Sequence, residues 1–329
     1  MHSPIPHVRR VVAEVVAELD GRVIEVAPAV ASVPSHVWAI VEDVLAAELT
    51  VQEQEEVRVA TPVGPDDLTG LITAVPLSVR LARQRHEHLR VLLDEQRFTT
   101  HYQMIVDARS NAIVGFEGLL RTVIDDVEVW PDEAFAMAAE AGWTDVLDRI
   151  GREKAIAGSA GWLGDRDLYI NFMPTSIYRP EHCLRTTWAA AERYGVAPER
   201  IVFEVTEGTD ASPEHLDHIL RHYREEGCRI AVDDVGAGYG SLNRLARIQP
   251  DVAKIDKQLV QDASPVSDAV IGAVVGLCRD LGVVVLAEGV ETKAQADRVV
   301  GLGVELLQGF WLGRPMPAEL QPTPNILMA

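Results

Sequence analysis

The sequence predicts an α/β protein: a modified TIM-type (β/α)8 barrel preceded by a small, mainly helical N-terminal region. Strand-like and helix-like runs alternate from residue 98 to residue 308, which is typical of a parallel sheet with helices on its outside. Polar side chains mark the ends of seven of the strand-like runs, as expected where barrel strands meet on one face. A doubly wound open sheet is the alternative, but no glycine-rich phosphate loop follows the first strand.

The periodicity of apolar residues places the elements of the barrel segment. Strands are predicted at 98–107, 112–120, 168–173, 201–206, 229–234, 252–256, 283–288 and 304–308. Helices are predicted at 132–141, 145–161, 181–194, 213–226, 265–281 and 292–301. This alternation over the larger part of the chain fits a closed barrel best.

The first 79 residues are predicted to form a separate region, followed by the barrel segment at 80–329. They carry 12 acidic residues against four arginines and no lysine. Helices are predicted at 8–19 and 35–49, a short strand at 57–60, and a charged helix at 80–96 that leads into the barrel. Residues 1–79 show no catalytic constellation, so a packing or regulatory role is predicted for them.

The charge of the chain excludes some classes of partner. Among 329 residues there are 50 acidic and 30 basic ones, for a net charge of −20. This charge repels nucleic acid polymers and anionic membranes, and neither is expected as a partner. No apolar run approaches the roughly 20 residues of a membrane helix, and the N-terminus lacks the pattern of a secretory signal. A cytoplasmic location is therefore expected.

Acidic and amide side chains recur where the predicted strands stop. In chain order they are Glu117, Asn171, Glu204 with Glu207, Asp233 with Asp234, Lys254 with Asp256, Glu288 with Glu291, and Gln308. One acid at such a position is usually a helix cap or a solvated charge. Seven strand ends in succession indicate a functional site, because the ends of parallel barrel strands gather around one mouth.

A mouth with so many carboxylates predicts a metal site. Close carboxylates repel one another and raise each other's pKa values. Bound divalent cations remove that conflict, and oxygen ligands of this kind suit magnesium or manganese. The chain has only four lysines, so Lys254 within the carboxylate series is a candidate functional residue.

These residues resemble the motifs of a known family, the EAL domain of bacterial cyclic di-GMP phosphodiesterases. The matching stretches are Tyr102-Gln103, Glu117-Gly118-Leu119-Leu120-Arg121, Asn171, Glu204-Val205-Thr206-Glu207, Asp233-Asp234-Val235-Gly236-Ala237-Gly238, Lys254-Ile255-Asp256, Glu288-Gly289-Val290-Glu291-Thr292 and Gln308-Gly309-Phe310. The resemblance implies a barrel with one antiparallel strand near its start. It also implies hydrolysis of cyclic di-GMP to the linear dinucleotide pGpG by two magnesium or manganese ions, with inhibition by calcium.

The resemblance assigns roles to individual residues. It implies a metal-ligand set of Glu117, Asn171, Glu204, Asp233 and Asp234, in which Asp233 bridges the two ions. Lys254 would orient the attacking water, and Glu288 would act as a general base or hold a metal through water. Glu207 would anchor the loop that runs from Val235 to Leu242, which in this family links the metals to a homodimer interface. Binding or supporting roles fall to Gln103, Leu119, Arg121, Asp256, Glu291 and Gln308, of which Arg121 would contact a phosphate.

Three positions depart from the family pattern. Gly118 stands where the signature has alanine, and Met104 where a proline is usual. Val235 replaces the usual phenylalanine of the loop. Its smaller side chain is expected to loosen the loop beside the two aspartates, and so to affect the rate of the reaction more than its nature.

Two other functions compete with the phosphodiesterase. The first is an EAL domain that binds cyclic di-GMP without cutting it and signals through residues 1–79. Degenerate members usually lose metal ligands, whereas every ligand position is filled in this sequence. The second is an unrelated metal-dependent barrel, such as a lyase acting on an enolate, which would not need Asn171 and Gln308 together with this loop.

Overall fold

The computed structural model describes residues 5–18, 22–23, 31–32, 38–60, 74–124, 127–206, 211–236 and 241–321. The chain divides into two compact units, Met1–Asp94 with Asp132–Thr144, and Glu95–Pro131 with Asp145–Ala329. The predicted boundary after residue 79 falls inside the helix Leu77–Arg85 of the first unit. A functional division of the chain at that point stays a prediction.

The first unit consists of short helices and two small antiparallel hairpins. Its helices are α1 (Pro6–Glu18), α2 (Trp38–Glu48), α3 (Val51–Glu56), α4 (Leu77–Arg85), α5 (Glu87–Asp94) and most of α6 (Pro131–Ala141). Strands β1 (Arg22–Val23) and β2 (Ala31–Ser32) form one hairpin, and β3 (Arg58–Val59) and β4 (Val75–Pro76) the other. Valine and leucine side chains of α1 and α2 supply most of its core, which is aliphatic.

The helices of this unit follow the sequence prediction with one difference. The predicted helix at 8–19 corresponds to α1, and that at 35–49 to α2, although residues 35–37 lie outside the described part of the chain. The helix predicted at 80–96 is two helices, because α4 ends at Arg85 and the backbone of His86 leaves the helical conformation. Apolar periodicity continues through this break, so it was not visible as a change of pattern.

The described residues of the second unit form ten strands. They are β5 (Thr99–Asp107), β6 (Ile113–Ile124), β7 (Val127–Val129), β8 (Asp167–Asn171), β9 (Ile201–Thr206), β10 (Arg229–Val235), β11 (Val252–Ile255), β12 (Val284–Ala287), β13 (Leu306–Leu307) and β14 (Met316–Pro317). Eight of them close into a barrel in the order β5-β6-β8-β9-β10-β11-β12-β13, and β13 pairs with β5. Strand β5 runs antiparallel to both of its barrel neighbours, and the remaining barrel pairs are parallel. The predicted fold class, including the antiparallel strand, is confirmed.

Helices between the strands cover the outside of the barrel. They are α7 (Thr144–Ser159), α8 (Pro180–Cys183), α9 (Arg185–Tyr194), α10 (Pro213–Glu225), α11 (Ser241–Ile248), α12 (Lys257–Gln261), α13 (Pro265–Leu281) and α14 (Lys293–Gly301). Their apolar faces pack on the outward-facing residues of the strands and form the largest core cluster of the unit. Strand β7 and the short helices α11 and α12 were not predicted, because each is too brief to show a periodic pattern. Within the described residues, no helix is both long and apolar enough to cross a membrane.

Candidate active site

A single apolar layer inside the barrel determines where the polar residues lie. Seven strands each contribute one side chain to it: Ile105, Tyr169, Val202, Ala231, Val252, Leu286 and Leu306. Residues two apart on a strand point to the same face. The next inward-facing position toward the mouth is therefore polar in every case: Gln103, Asn171, Glu204, Asp233, Lys254, Glu288 and Gln308. In the antiparallel β5 this step runs backward along the chain, from Ile105 to Gln103.

The eighth strand follows the same rule with a glycine. Gly115 occupies the inward position of β6 below Glu117. A Cβ at Gly115 would lie 3.0 Å from the ring of Tyr169 and 3.0 Å from a backbone oxygen of the neighbouring strand. The glycine thus makes room for the tyrosine of the apolar layer, and Glu117 stands two residues higher, at the mouth.

Lys254 lies at the centre of the polar residues. Its ammonium nitrogen is 2.7 Å from a carboxylate oxygen of Glu288, 2.8 Å from Glu204, 3.2 Å from Asp233 and 3.7 Å from Glu117. The lysine side chain is only 1% exposed. One positive charge therefore faces four carboxylates in a nearly dry space, and three of the four negative charges have no counter-charge in this group.

The pKa values reflect that imbalance. Burial and the proximity of Glu117 hold the pKa of Glu204 well above its ordinary value. Burial raises the pKa of Glu288 to about 8, although Lys254 opposes the shift. Burial alone would lower the pKa of Lys254, but the surrounding carboxylates raise it well above its ordinary value, so the lysine stays charged. Without added cations, Glu288 therefore keeps its proton to a higher pH than an ordinary carboxyl group does.

Two amide side chains hold Glu117 in place, and a third holds one of those two. Asn171 donates a hydrogen bond of 2.8 Å to one oxygen of Glu117, and Gln308 donates one of 2.6 Å to the other. The same Gln308 amide lies 3.2 Å from the side-chain oxygen of Gln103, whose own amide donates to the backbone oxygen of Gly313. Burial alone would raise the pKa of Glu117, but Lys254 and the amides outweigh it, and its pKa is lowered.

A bulge in β10 brings two successive aspartates to the mouth. The register between β10 and β11 shifts between Val232 and Val235, and Asp234 has a φ of 57°. In a regular strand Asp233 and Asp234 would point to opposite faces. The left-handed backbone turns the second carboxylate toward the first, so that oxygens of Asp233, Asp234 and Glu288 lie within 4.8 Å of one another. Burial and repulsion by Asp233 raise the pKa of Asp234 to about 6.

The donor set fits divalent cations. The groups are carboxylates and one amide, which are the ligands that magnesium and manganese prefer. One carboxylate oxygen of Glu204, Oε2, is buried and has no hydrogen-bond donor within the described residues. A buried acceptor without a donor is costly unless a cation binds it. The residues at the mouth therefore fit a metal site.

Arg121 occupies the outer part of the mouth, two inward positions above Glu117. Its guanidinium lies 3.3 Å from a carboxylate oxygen of Glu128 and 5.0 Å from the ring centre of Trp130. The arginine is 6% exposed, whereas Trp130 is 58% exposed. Together with Arg97, His101 and neighbouring residues, Arg121 and Glu128 line a cleft of about 470 Å³. Leu119, between Glu117 and Arg121 on the same face, is half-buried.

Two further predicted residues, Asp256 and Glu291, make contacts with neighbouring loops and helices. Asp256 caps α12, since its side chain accepts a hydrogen bond from the backbone of Gln258. Glu291 is exposed; its carboxylate accepts a hydrogen bond from the amide of Gln261, and its backbone N–H donates one to the side-chain oxygen of Gln295. Glu207 and residues 237–240 of the loop lie outside the described residues, so the roles predicted for them stay predictions.

The three departures from the family pattern have different surroundings. A Cβ at Gly118 would lie 3.0 Å from the Cβ of Ala155, so the glycine matches a close approach of α7 to the barrel. Val235 is fully buried and pairs with Ile255. Met104 is buried in the core. None of the three side chains is among the polar groups at the mouth.

Sequence reasoning missed Glu128 and Trp130. A signal was present, because Val127-Glu128-Val129 alternates apolar and polar residues just after a long strand, as in a hairpin. The run was too short to stand out.

Comparison with known proteins agrees with the geometry. The model of the EAL domain family matches residues 86–315. The chain belongs to the EAL domain family. It is 33% identical over 247 residues to the bifunctional diguanylate cyclase/cyclic di-GMP phosphodiesterase MucR of Pseudomonas aeruginosa, which covers 70% of this chain and 35% of MucR.

Solved EAL structures share the barrel. The PaMucR phosphodiesterase in complex with c-di-GMP superposes with a TM-score of 0.65 at 30% identity, covering 72% of this chain and 98% of the other. A manganese/cy-diGMP complex of BlrP1 from Klebsiella pneumoniae has a TM-score of 0.62 at 28% identity, covering 78% and 68%. The EAL chain described here spans between 28% and 59% of the length of eight curated relatives.

Proposed function

We propose that this EAL domain hydrolyses one phosphodiester bond of cyclic di-GMP and releases the linear dinucleotide pGpG. The observation that carries the proposal is Lys254, whose ammonium lies within 3.7 Å of four carboxylates at the barrel mouth. Support also comes from relatives named as cyclic di-GMP phosphodiesterases. The reaction adds water to phosphorus, breaks the bond from phosphorus to the 3′ oxygen, and leaves a 3′ hydroxyl on one guanosine.

Two magnesium or manganese ions would bind among the carboxylates. Their ligands would be Glu117, Asn171, Glu204, Asp233 and Asp234, as the family resemblance implies. When bound, the ions would supply Lewis acidity to the attacking water and to the phosphate. They would also neutralise the three carboxylate charges that Lys254 leaves uncompensated.

Lys254 and Glu288 have complementary roles in moving the proton of the water. Glu288, within hydrogen-bond distance of the Lys254 ammonium, would accept that proton as the carboxylate, the form that the bound ions and Lys254 favour. Lys254 stays protonated and, 2.7 Å away, stabilises the carboxylate that must act as the base. It also offers hydrogen-bond donors that orient the water toward phosphorus.

Arg121 would bind a phosphate of the substrate. The guanidinium is held in advance by Glu128 and Trp130, which reduces the entropy lost on binding. Leu119 lies between it and the metal ligand Glu117, and provides an apolar surface for a nucleoside. Gln103 and Gln308 would act through Glu117, which they keep in a fixed orientation.

An assay with cyclic di-GMP and Mn²⁺ tests the proposal. The purified chain is expected to produce pGpG, identified by mass, and Glu117→Ala is expected to produce none because it lacks a metal ligand. Binding of cyclic di-GMP by the folded, Mn²⁺-loaded protein without any linear product would refute hydrolysis and favour the receptor function instead. Cleavage at an unchanged rate by Glu117→Ala would refute the ligand assignment.

Dimerisation and location stay predictions from the sequence. A homodimer joined through the loop that runs from Val235 to Leu242 would be detected by light scattering at micromolar concentration. A monomer with full activity would contradict it. The cytoplasmic location would be tested by cell fractionation.

A further inference from the structure

Helix α7 carries a buried ion pair on its inner face. Asp148 and Arg152 lie one helical turn apart, are 3% and 2% exposed, and contact each other directly. Burial of two charges costs about as much free energy as their attraction returns, and well-packed apolar residues often stabilise a protein at least as well. The contribution of this pair to stability therefore does not explain its presence.

The second oxygen of Asp148 reaches the end of a barrel strand. Its Oδ1 accepts a hydrogen bond of 2.9 Å from the backbone nitrogen of Met173. The sheet ladder of β8 ends just before this point, where Phe172 donates to the backbone oxygen of Glu204. Asp148 thus supplies an acceptor for the first backbone donor beyond the ladder.

Arg152 fixes the carboxylate from the other side. It pairs with Oδ2 of Asp148, and its Nε donates a hydrogen bond of 3.2 Å to the hydroxyl of Thr187 on α9. Thr187 is itself buried. The pair therefore connects two surface helices to a single backbone position at the barrel mouth.

That position lies two residues after Asn171. The side chain of Asn171 donates to Glu117 and is one of the proposed metal ligands. Asn171 is the last residue of β8. The sheet therefore fixes the backbone that precedes Asn171, and Asp148 fixes the backbone that follows it. Groups that orient a metal ligand without touching the metal typically change metal affinity 10- to 100-fold when they are removed.

We infer that Asp148, held by Arg152, is a positioning residue for Asn171 and thereby sets the affinity of the metal site. The inference rests on the proposed function, because Asn171 is a ligand only in that proposal. A purely structural pair would affect stability alone.

Two paired substitutions separate these roles. Asp148→Leu with Arg152→Met removes both charges and the acceptor for Met173. Asp148→Asn with Arg152→Met removes the same charges but keeps an oxygen that can accept that hydrogen bond. Both pairs avoid a lone buried charge, so both are expected to fold with a melting temperature close to that of the wild type or above it.

The measurement is Mn²⁺ affinity, obtained by titration with electron paramagnetic resonance of the free ion, together with the melting temperature. The Leu/Met pair is expected to bind Mn²⁺ about 10- to 100-fold more weakly than the wild type, and the Asn/Met pair within a few-fold of it. Asp167→Asn is the matched control. It removes an ion pair with Arg229 at the opposite end of the same strand and should lower the melting temperature without changing Mn²⁺ affinity.

Several outcomes would overturn the inference. One is Mn²⁺ affinity of the Leu/Met pair equal to that of the wild type. Another is a loss of Mn²⁺ affinity that is as large in the Asn/Met pair, or in Asp167→Asn, as in the Leu/Met pair. The last is a wild-type protein that binds no Mn²⁺. If the Leu/Met pair does not fold, Asp148→Ala with Arg152→Met decides: it also removes both charges and the acceptor but adds no bulk, and wild-type Mn²⁺ affinity in that folded protein would count against the inference. Failure of the proposed function is seen separately, as absence of pGpG from a wild-type protein that binds Mn²⁺.

Discussion

Lys254 is the residue on which the charge balance of the barrel mouth depends. It is buried among Glu117, Glu204, Asp233 and Glu288, and no other lysine or arginine in the described residues forms an ion pair with any of these four. Its charge is needed in two states of the protein. Without metals it limits repulsion among the carboxylates, and in the proposed reaction it would orient the water beside Glu288.

Lys254→Ala is expected to lower kcat by at least about 100-fold and to change KM far less. The reason is that an oriented water matters in the transition state rather than in substrate binding. The metal-free variant should also lose stability, on the order of 3–5 kcal/mol, because carboxylates are left unpaired in a buried space. Steady-state kinetics and thermal melting with and without Mn²⁺ would measure both effects.

Lys293→Ala is the control for that variant, because its ammonium is exposed and pairs only with Asp297 on the surface. It should leave kcat, KM and melting temperature nearly unchanged. A Lys254→Ala protein with normal kcat, or one inactive only because it is unfolded, would remove the catalytic role of the lysine.

Individual site residues could be predicted from the sequence where the position of a residue in its strand determines the direction of its side chain. Asn171, Glu204 and Asp233 stand at or near the carboxyl ends of their strands, and the barrel brings such ends together. Glu117 lies at the same mouth although β6 continues beyond it to Ile124. Asp256 shows the limit of this reasoning. It was predicted to support the site, and only the structure shows that one oxygen of its carboxylate also caps α12 by accepting the backbone hydrogen bond of Gln258.

Among the elements, the bulge in β10 has the most direct effect on the site. Asp234 adopts a left-handed backbone conformation, which costs a non-glycine residue roughly 1 kcal/mol or more, although aspartate and asparagine tolerate it best. The conformation is what brings the carboxylates of Asp233 and Asp234 to the same place. The sequence could not predict it, since an Asp-Asp pair fits a regular strand end equally well.

Asp234→Asn is therefore expected to keep the bulge and lose the metal. Asparagine accepts the same φ, so the melting temperature of the metal-free protein should not fall, while Mn²⁺ affinity should drop by roughly 10-fold or more. Asp234→Ala should lose both affinity and stability. The measurements are Mn²⁺ titration and thermal melting.

A control for the backbone effect exists in another part of the barrel. Asn111 also has a left-handed φ, of 56°, in the exposed turn between β5 and β6. Asn111→Ala should lower the melting temperature as Asp234→Ala does and leave Mn²⁺ affinity unchanged. If Asp234→Asn binds Mn²⁺ as tightly as the wild type, Asp234 is not a ligand.

Strand β7 acts on the substrate side of the mouth. It pairs with the end of β6 and presents Glu128 to the guanidinium of Arg121. A phosphate that binds Arg121 must compete with that carboxylate. The hairpin thus holds the arginine in place and at the same time weakens its attraction for anions.

Glu128→Gln is expected to lower KM for cyclic di-GMP, because it removes the competing charge and keeps the size and shape of the side chain beside Arg121. A partly exposed ion pair contributes up to about 1 kcal/mol, so the decrease should not exceed about five-fold, and kcat should not change. Asp297→Asn, which removes a surface carboxylate from the pair with Lys293, should leave KM unchanged. An increase of KM in Glu128→Gln would show that the carboxylate assists binding.

At the scale of the whole molecule, alternation of strands and helices was sufficient to predict a barrel, because a parallel sheet leaves few topologies. The polar side chains at the mouth lie two residues beyond the apolar layer on each strand, so the two-residue period of strands places both sets inside the barrel. What could not be predicted is set by contacts distant in sequence. The acceptor that Asp148 offers to Met173 and the room that Gly115 leaves for Tyr169 depend on how neighbouring elements meet.

The charge concentrated at the mouth makes the stability of the whole protein depend on pH and on metal. Glu204, Glu288 and Asp234 have pKa values above their ordinary 4.5, 4.5 and 3.8. Above pH 4.5 these three groups therefore bind more protons in the native protein than in the unfolded chain. Stability must then fall as pH rises toward the native pKa values, by up to about 1.4 kcal/mol per pH unit for each extra proton bound.

The metal-free protein is accordingly expected to melt at a lower temperature at pH 8.5 than at pH 6.0. The window includes the pKa of about 6 at Asp234 and of about 8 at Glu288. With saturating Mn²⁺ the difference should shrink or reverse, because the ions replace the protons and bind more tightly as the carboxylates ionise. Glu288→Gln, whose amide does not titrate, should reduce the pH slope of the metal-free protein. Thermal melting in EDTA and in Mn²⁺ across this range measures the effect, and a metal-free melting temperature that is constant or rises from pH 6.0 to 8.5 would contradict it.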